Sequence, residues 1–274
     1  MIPTFSFLFG AVIGSFLNVC IHRLPRGESI VWPGSHCPHC QRPIAAYDNI
    51  PLISYLLLGA KCRHCRAAIS PRYFLVELAT ACLFLVSYWQ FGLSIAFARQ
   101  VIFGSLLIVL VVTDWQERIL PDRITFPGMA LGLVFSLAVP VGDGTGAWLA
   151  RLAGLYRLPL WTGSLVDALA GALAGGGLLY LLGEVYFRLR RREGMGFGDV
   201  KMMAMVGFFL GPKLTLLTIL VGSLAGSVLG LLFIVVLRKD TSYELPFGTF
   251  LGGAAYFASL YGWGLLTWYG GFFP

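Results

Sequence analysis

The sequence predicts an all-α polytopic membrane protein: about eight transmembrane helices, with a small cytoplasmic domain inserted after the first. Three observations carry that expectation. Of 274 residues, 57% are hydrophobic and only 12% are charged, about half the roughly 25% charge of soluble domains. The apolar residues form continuous runs without the alternation that a membrane β-barrel requires. Four of the six cysteines stand as two close pairs in a single polar, basic segment.

Taken in order, the first apolar run covers about residues 5–21. No positive charge precedes it and no small-residue cleavage pattern follows, so it reads as a retained span and not a signal peptide. Residues 22–72 are too polar for hydrocarbon and form a domain of their own. Further spans are expected at about 73–89, 94–113, 124–141, 164–187, 200–210, 214–237 and 247–268, so that 73–274 makes up the membrane core. Residues 142–163 are Gly-rich and read as an external loop. The run at 200–210 is short for a helix that needs about 20 residues to span, and Gly211-Pro212-Lys213 closes it.

Eight spans put both termini on one side. Sixteen of the 20 Lys and Arg residues fall in the connections of the opposite side and four on the terminal side. Positive charge marks the cytoplasm, so residues 22–72 and 114–123 and the segment before residue 200 face inward. Such clustering sets topology. It is not a nucleic-acid patch, and no nucleic-acid partner is expected; membrane lipid is.

The two pairs are Cys37-Pro38-His39-Cys40 and Cys62-Arg63-His64-Cys65. Four thiolates at this spacing suit a tetrahedral structural zinc, which folds a loop with little core of its own. Paired disulfides are the competing reading, and a cytoplasmic position argues against them. His39 and His64 read as solvent-facing, although either can replace a cysteine as ligand. Cys20 and Cys82 read as small buried hydrophobes.

Ionisable residues at membrane depth are expensive and are functional candidates by default. Asp114 ends the run at 103–113, and Asp199 ends Gly194-Met195-Gly196-Phe197-Gly198. Both sit where a helix meets the inner lipid boundary. If they meet, one carboxylate activates water while the other hydrogen-bonds a substrate carbonyl, which is peptide hydrolysis without a covalent intermediate. The bland alternative is two interfacial aspartates at helix ends. Asp122 rivals Asp114 but is expected to cap the helix that follows Pro121. Glu77 and Glu184 read as packing partners. Lys201 reads as an inner anchor or as support for a charged carboxylate. No Gly-x-Ser-x-Gly or His-Glu-x-x-His is present, and all four histidines lie at or within residues 22–64. The runner-up is an ion- or proton-coupled transporter with the aspartates as relay.

The chain resembles the type IV prepilin peptidase family over nearly its whole length. Gly14-Ser15-Phe16-Leu17-Asn18-Val19-Cys20-Ile21-His22-Arg23-Leu24-Pro25 is close to that family's opening motif. Tyr47-Asp48-Asn49-Ile50-Pro51-Leu52 stands between the knuckles, and Ile69-Ser70-Pro71-Arg72-Tyr73 follows them. Asp114 ahead of Leu120-Pro121-Asp122, and Gly196-Phe197-Gly198-Asp199 with Lys201, match the two stretches that carry the family's catalytic aspartates. The resemblance implies cleavage of type IV prepilins or type II secretion pseudopilins after a glycine, at the cytoplasmic face of the bacterial inner membrane. It further implies N-methylation of the new N-terminus with S-adenosylmethionine, which in this family accompanies the four-cysteine domain. The region 142–163 is longer than the compact family version, and Cys20 stands where an aliphatic residue is common. The methyl-donor site is not placed by any motif; Asp48, Asn49 and Glu77 are contributors by proximity alone.

Overall fold

The structure is a computed structural model. It describes residues 1–154, 159–192, 194–237 and 246–272, with 233–237 as backbone alone. Within them every regular element is helical, and the chain divides into two compact units, Met1–Val109 and Leu110–Pro274.

The first unit holds α1 (Ile2–Arg23), a 3-10 turn (Ala46–Asn49), the short α2 (Ile53–Leu57), α3 (Pro71–Phe91) and the first part of α4 (Ile95–Glu117). Small residues let α1 and α3 touch. A Cβ on Gly14 would lie 2.7 Å from the Glu77 Cα, and one on Gly10 would lie 2.9 Å from the Ala81 Cα. Glycines four apart form the stripe that brings membrane helices into backbone contact. Asn18, one turn further on, continues it by donating to the Tyr73 carbonyl at 3.0 Å. Ser70 caps α3 by accepting from the Arg72 N–H, with Pro71 in the first turn, where its missing N–H does no harm.

The second unit begins with the end of α4 and continues with α5 (Asp122–Ala138), α6 (Thr145–Leu152), α7 (Leu160–Ala172), a π-turn (Leu173–Gly177), α8 (Leu178–Arg190), α9 (Phe197–Leu237) and α10 (Phe247–Gly270). Helix α9 is two limbs. Gly211 takes φ 75° and ψ 174° ahead of Pro212, a backbone state open to glycine and closed to other residues. The neighbours of α10 show that the chain reverses there. A Cβ on Gly252 would lie 3.1 Å from Met202 Cε, one on Gly222 would lie 2.9 Å from Leu251, and one on Gly262 would lie 2.6 Å from Leu214. Residues 202 and 222 are therefore level with the start of α10, and 214 with its far part. The expected runs 200–210 and 214–237 are the two limbs of this hairpin.

Five stretches are long and apolar enough to cross a membrane: Ile2–Arg23, Pro71–Phe91, Ile95–Glu117, Leu160–Arg190 and Phe197–Leu232. Among the described residues the protein is all-helical, and these runs mark an integral membrane protein.

The region expected as an external loop contains α6 and a buried clasp. Asp167 Oδ1 accepts from the Gly146 N–H at 2.6 Å and its Oδ2 from the Gly144 N–H at 3.2 Å. Asp143 Oδ2 accepts from the Lys213 N–H at 2.8 Å and the Lys213 Nζ donates to the Asp143 carbonyl at 2.6 Å. Together they tie the segment after α5 to α7 and to the Gly211 turn.

Candidate active site

Asp114 sits in the last full turn of α4. The helix closes when Arg118 adopts φ 54°, with its N–H donating to the Asp114 carbonyl at 2.9 Å. Asp199 lies in the first turn of α9. Both side chains are buried, at 6% and 8% exposure. The third wall is the start of α10. Thr249 donates to Asp114 Oδ2 twice, through its N–H at 2.6 Å and its hydroxyl at 2.9 Å.

Gly248 faces both acids. The place its Cβ would occupy is 3.0 Å from Asp199 Oδ1 and 3.1 Å from Asp114 Oδ2. The bare Cα of Gly248 thus leaves no side chain between the two carboxylates and itself. Asp199 Oδ1 is buried and has no hydrogen-bond partner among the described residues. A buried orphan carboxylate oxygen next to another carboxylate calls for a shared proton, a water or a substrate group. This site brings together the two aspartates singled out in the sequence.

The glycines before Asp199 do different things. A Cβ on Gly198 would meet the Leu120 Cβ at 3.0 Å, so its bareness lets the start of α9 pack on the Leu120-Pro121 segment. Gly194 packs on the Tyr186 ring, whereas Gly196 has ordinary room.

Asp122 does not cap α5. Pro121 holds the cap position, Asp122 is the first helical residue, and its carboxylate pairs with Lys201. The Asp122 side chain is 54% exposed, unlike Asp114. Lys201 lies between the Phe126 and Phe197 rings, 5.7 and 5.3 Å from their centroids. It therefore anchors Asp122. Glu184 pairs with Arg188 one turn along α8 at 2.8 Å. Cys82 is exposed, contrary to the expectation that it is buried, because it lies on the outer face of α3; Cys20 is buried as expected.

In the first unit the four cysteine sulfurs lie within 4.8 Å of one another, and all are free thiols. The two knuckles are the same structure repeated. Cys37 donates its N–H to the Arg42 carbonyl at 3.0 Å and receives Gln41 at 2.9 Å, just as Cys62 bonds Ala67 at 2.8 Å and receives Arg66 at 3.0 Å. Gln41 and Arg66 share a positive φ, 57° and 60°. Backbone N–H groups of Cys65 and His64 turned toward the Cys62 sulfur hold that thiol down to about 6. Four zinc-bound sulfurs at about 2.3 Å from the metal stand roughly 3.8 Å apart, and Cys37 and Cys65 are 3.8 Å apart here. The donor set fits the metal. His39 and His64 are exposed, and His64 faces Arg42 at 3.4 Å.

Sequence reasoning missed Gly248 and Thr249, which lie in an apolar run, and the buried Asp143 and Asp167. Asp167 interrupts the run 164–187, so the rule that singled out Asp114 applies to it equally.

An integral membrane protein, helical throughout the described residues, with two buried carboxylates facing one glycine and a four-cysteine cluster: these features define the class. Comparison supplies the family. The Bacterial Peptidase A24 N-terminal domain matches residues 8–91, and the Type IV leader peptidase family matches residues 101–231. The chain is 34% identical to a prepilin leader peptidase/N-methyltransferase of Pseudomonas aeruginosa, over 94% of this chain and 89% of that protein. It is 35% identical to the protein of that name from Aeromonas hydrophila, over 96% and 92%. For that of Myxococcus xanthus the figures are 37%, 90% and 69%. The chain belongs to the type IV leader peptidase family. No solved structure matches it.

Proposed function

We propose that the chain removes the basic leader of type IV prepilins or type II secretion pseudopilins after a glycine, with Asp114 and Asp199 as the catalytic pair. The carrying observation is that both carboxylates face the bare Cα of Gly248. One takes a proton from the water between them as its oxygen attacks the scissile carbonyl carbon. The other hydrogen-bonds the carbonyl oxygen as negative charge builds there. The C–N bond then breaks, and the departing amine takes up a proton from the pair. Thr249 holds Asp114 still throughout, which keeps the reacting groups in one geometry.

Counting the two limbs of α9 separately, together with α1, α3, α4, α5, α7 with α8, and α10, makes eight crossings. The aspartates and the cysteine domain face the cytoplasm from the inner membrane, a reading supported by the distribution of Lys and Arg. Cys37, Cys40, Cys62 and Cys65 hold a structural zinc. N-methylation of the new N-terminus follows, S-adenosylmethionine supplying an electrophilic methyl group on a sulfonium sulfur. No observation favours the transporter reading.

The test is leader removal from a prepilin by the full-length protein in detergent, followed by mass spectrometry of the product. Asp114→Asn and Asp199→Asn should each abolish cleavage while melting as the wild type does. Cleavage retained by either variant would remove that residue from the pair.

A further inference from the structure

The four-cysteine domain hangs between two membrane spans, α1 and α3, and its middle is out of character with a water-facing loop. We infer that residues 49–60, with α2 at their centre, dip into the lipid interface beside α3 and hold the domain to the membrane.

Composition already sets this stretch apart. Between Asp48 and Lys61 no residue is charged. An apolar run of roughly 10–14 residues is too short to span, and belongs in a protein core or at a membrane interface. Its exposure excludes the core. Ile53, Leu56 and Leu57 are 51%, 66% and 82% exposed. Three and four residues apart, they share one face of α2. The other side is turned into the protein: Ser54 is buried, and the Tyr55 ring rests on the Phe74 ring with centroids 5.4 Å apart.

The depth of the segment decides what covers the exposed face. The Leu52 N–H donates to Glu77 Oε2 at 2.8 Å. Glu77 lies six residues inside α3, about 9 Å along its axis. A Cβ on Gly14 would touch the Glu77 Cα, and Gly14 is nine residues back from the end of α1. Phe74, under Tyr55, is in the first turn of α3. Residues 49–60 therefore run alongside the first two turns of a span, not past its end. At 21 residues α3 is about 31 Å long, no more than the roughly 30 Å of a hydrocarbon core, so those turns cannot stand clear of lipid. An interfacial helix buries its apolar face about 5–10 Å into the headgroup and acyl boundary, which is the depth that Glu77 sets.

The backbone meets the demand that lipid makes, a partner within the chain for each N–H. Two turns that water would satisfy in a surface loop are closed by side chains. The Ile50 N–H donates to Ser54 Oγ at 3.1 Å, and the Leu52 N–H to Glu77. At the far end the N–H groups of Leu58, Gly59 and Ala60 reach the carbonyls of Ser54, Leu56 and Tyr55 at 2.9, 3.1 and 2.9 Å. Leu52 itself takes φ 63° and ψ −50°, a strained state that persists only where its surroundings over-determine it; the bond to Glu77 is what holds it.

The cysteine cluster closes this loop at its base. Cys40 and Cys62 flank residues 41–61, and the four sulfurs lie within 4.8 Å of one another. The segment thus leaves and rejoins the knuckles at one point. That gives the cluster a role: it presents an apolar tip to the bilayer.

The test is photolabelling of the wild-type, full-length protein in vesicles of phosphatidylethanolamine and phosphatidylglycerol, doped with a phospholipid that carries a diazirine in its acyl chain. Labelled residues are mapped by mass spectrometry after proteolysis. Label is expected on α1, α3 and residues 49–60, and not on residues 37–42 of the first knuckle. A Leu56→Asp, Leu57→Asp double variant should lose label from 49–60 by at least about tenfold while α3 keeps its own. Where that variant melts below the wild type, the wild-type pattern alone decides. An unlabelled 49–60 stretch beside labelled α1 and α3 overturns the inference and leaves the face to a protein partner. Equal label on residues 37–42, or undiminished label in a folded variant, overturns it as well.

Discussion

The Thr249 N–H donates to Asp114 Oδ2 at 2.6 Å, and the Thr249 hydroxyl donates to the same oxygen at 2.9 Å. One residue from α10 thus fixes the rotamer of a carboxylate on α4, and Gly248 beside it keeps the space toward Asp199 clear. Three segments distant in sequence converge on one gap.

Removing the hydroxyl alone tests this clamp. Hydrogen bonds to charged groups are worth about 1.5–3 kcal/mol, so Thr249→Val should lower the kcat of leader cleavage by roughly ten- to a hundredfold with little change in KM. Thr249→Ser should recover most of the rate. Equal rates for Thr249→Val and wild type would show that the backbone N–H suffices.

Gly248→Ala is the sharper probe. The new methyl group would stand about 3 Å from an oxygen of each aspartate, where the proposed mechanism puts the reacting water. A displacement of this scale costs about a hundredfold in rate. Steady-state cleavage by protein of unaltered melting temperature is the measurement.

Asp122 should behave differently from Asp114. It is half exposed and pairs with Lys201, and exposed ion pairs contribute at most about 1 kcal/mol. Asp122→Ala should retain cleavage within about threefold of wild type, in the assay where Asp114→Ala loses it.

The clasp near the Gly211 turn should matter for stability. Asp167→Ala strands the buried Gly146 N–H, at about 1–3 kcal/mol, and removes the acceptor of the exposed Gly144 N–H. The melting temperature in detergent should fall by several degrees. Cleavage at low temperature should persist, since the carboxylate pair lies at the other end of the α9 limbs.

Metal analysis should find about one zinc per chain, lost in a Cys37→Ser, Cys40→Ser double variant. Metal uptake competes with protons for the sulfurs. Zinc affinity should therefore fall steadily as pH is lowered, which a chromophoric chelator titration at stepped pH will read.

The sequence marked Asp114 and Asp199 because a carboxylate at the end of an apolar run has few bland explanations. The knuckles were equally legible, since a tetrathiolate site needs only local spacing. Gly248 and Thr249 were not, because their role exists only once α10 lies against α4 and α9, a juxtaposition without a local pattern. Asp122 misled because Pro121 and Asp122 compete for one cap position, and the outcome turned on Lys201, 79 residues away. The short run at 200–210 looked doubtful as a helix in isolation. It becomes intelligible as one limb of a hairpin folded at Gly211.

The order in which the three converging segments leave the ribosome has a consequence for the cell. A nascent chain that has emerged only through α9 already carries both acids but lacks the residues that orient the first of them. On the proposed mechanism, hydrolysis would begin only once α10 has inserted.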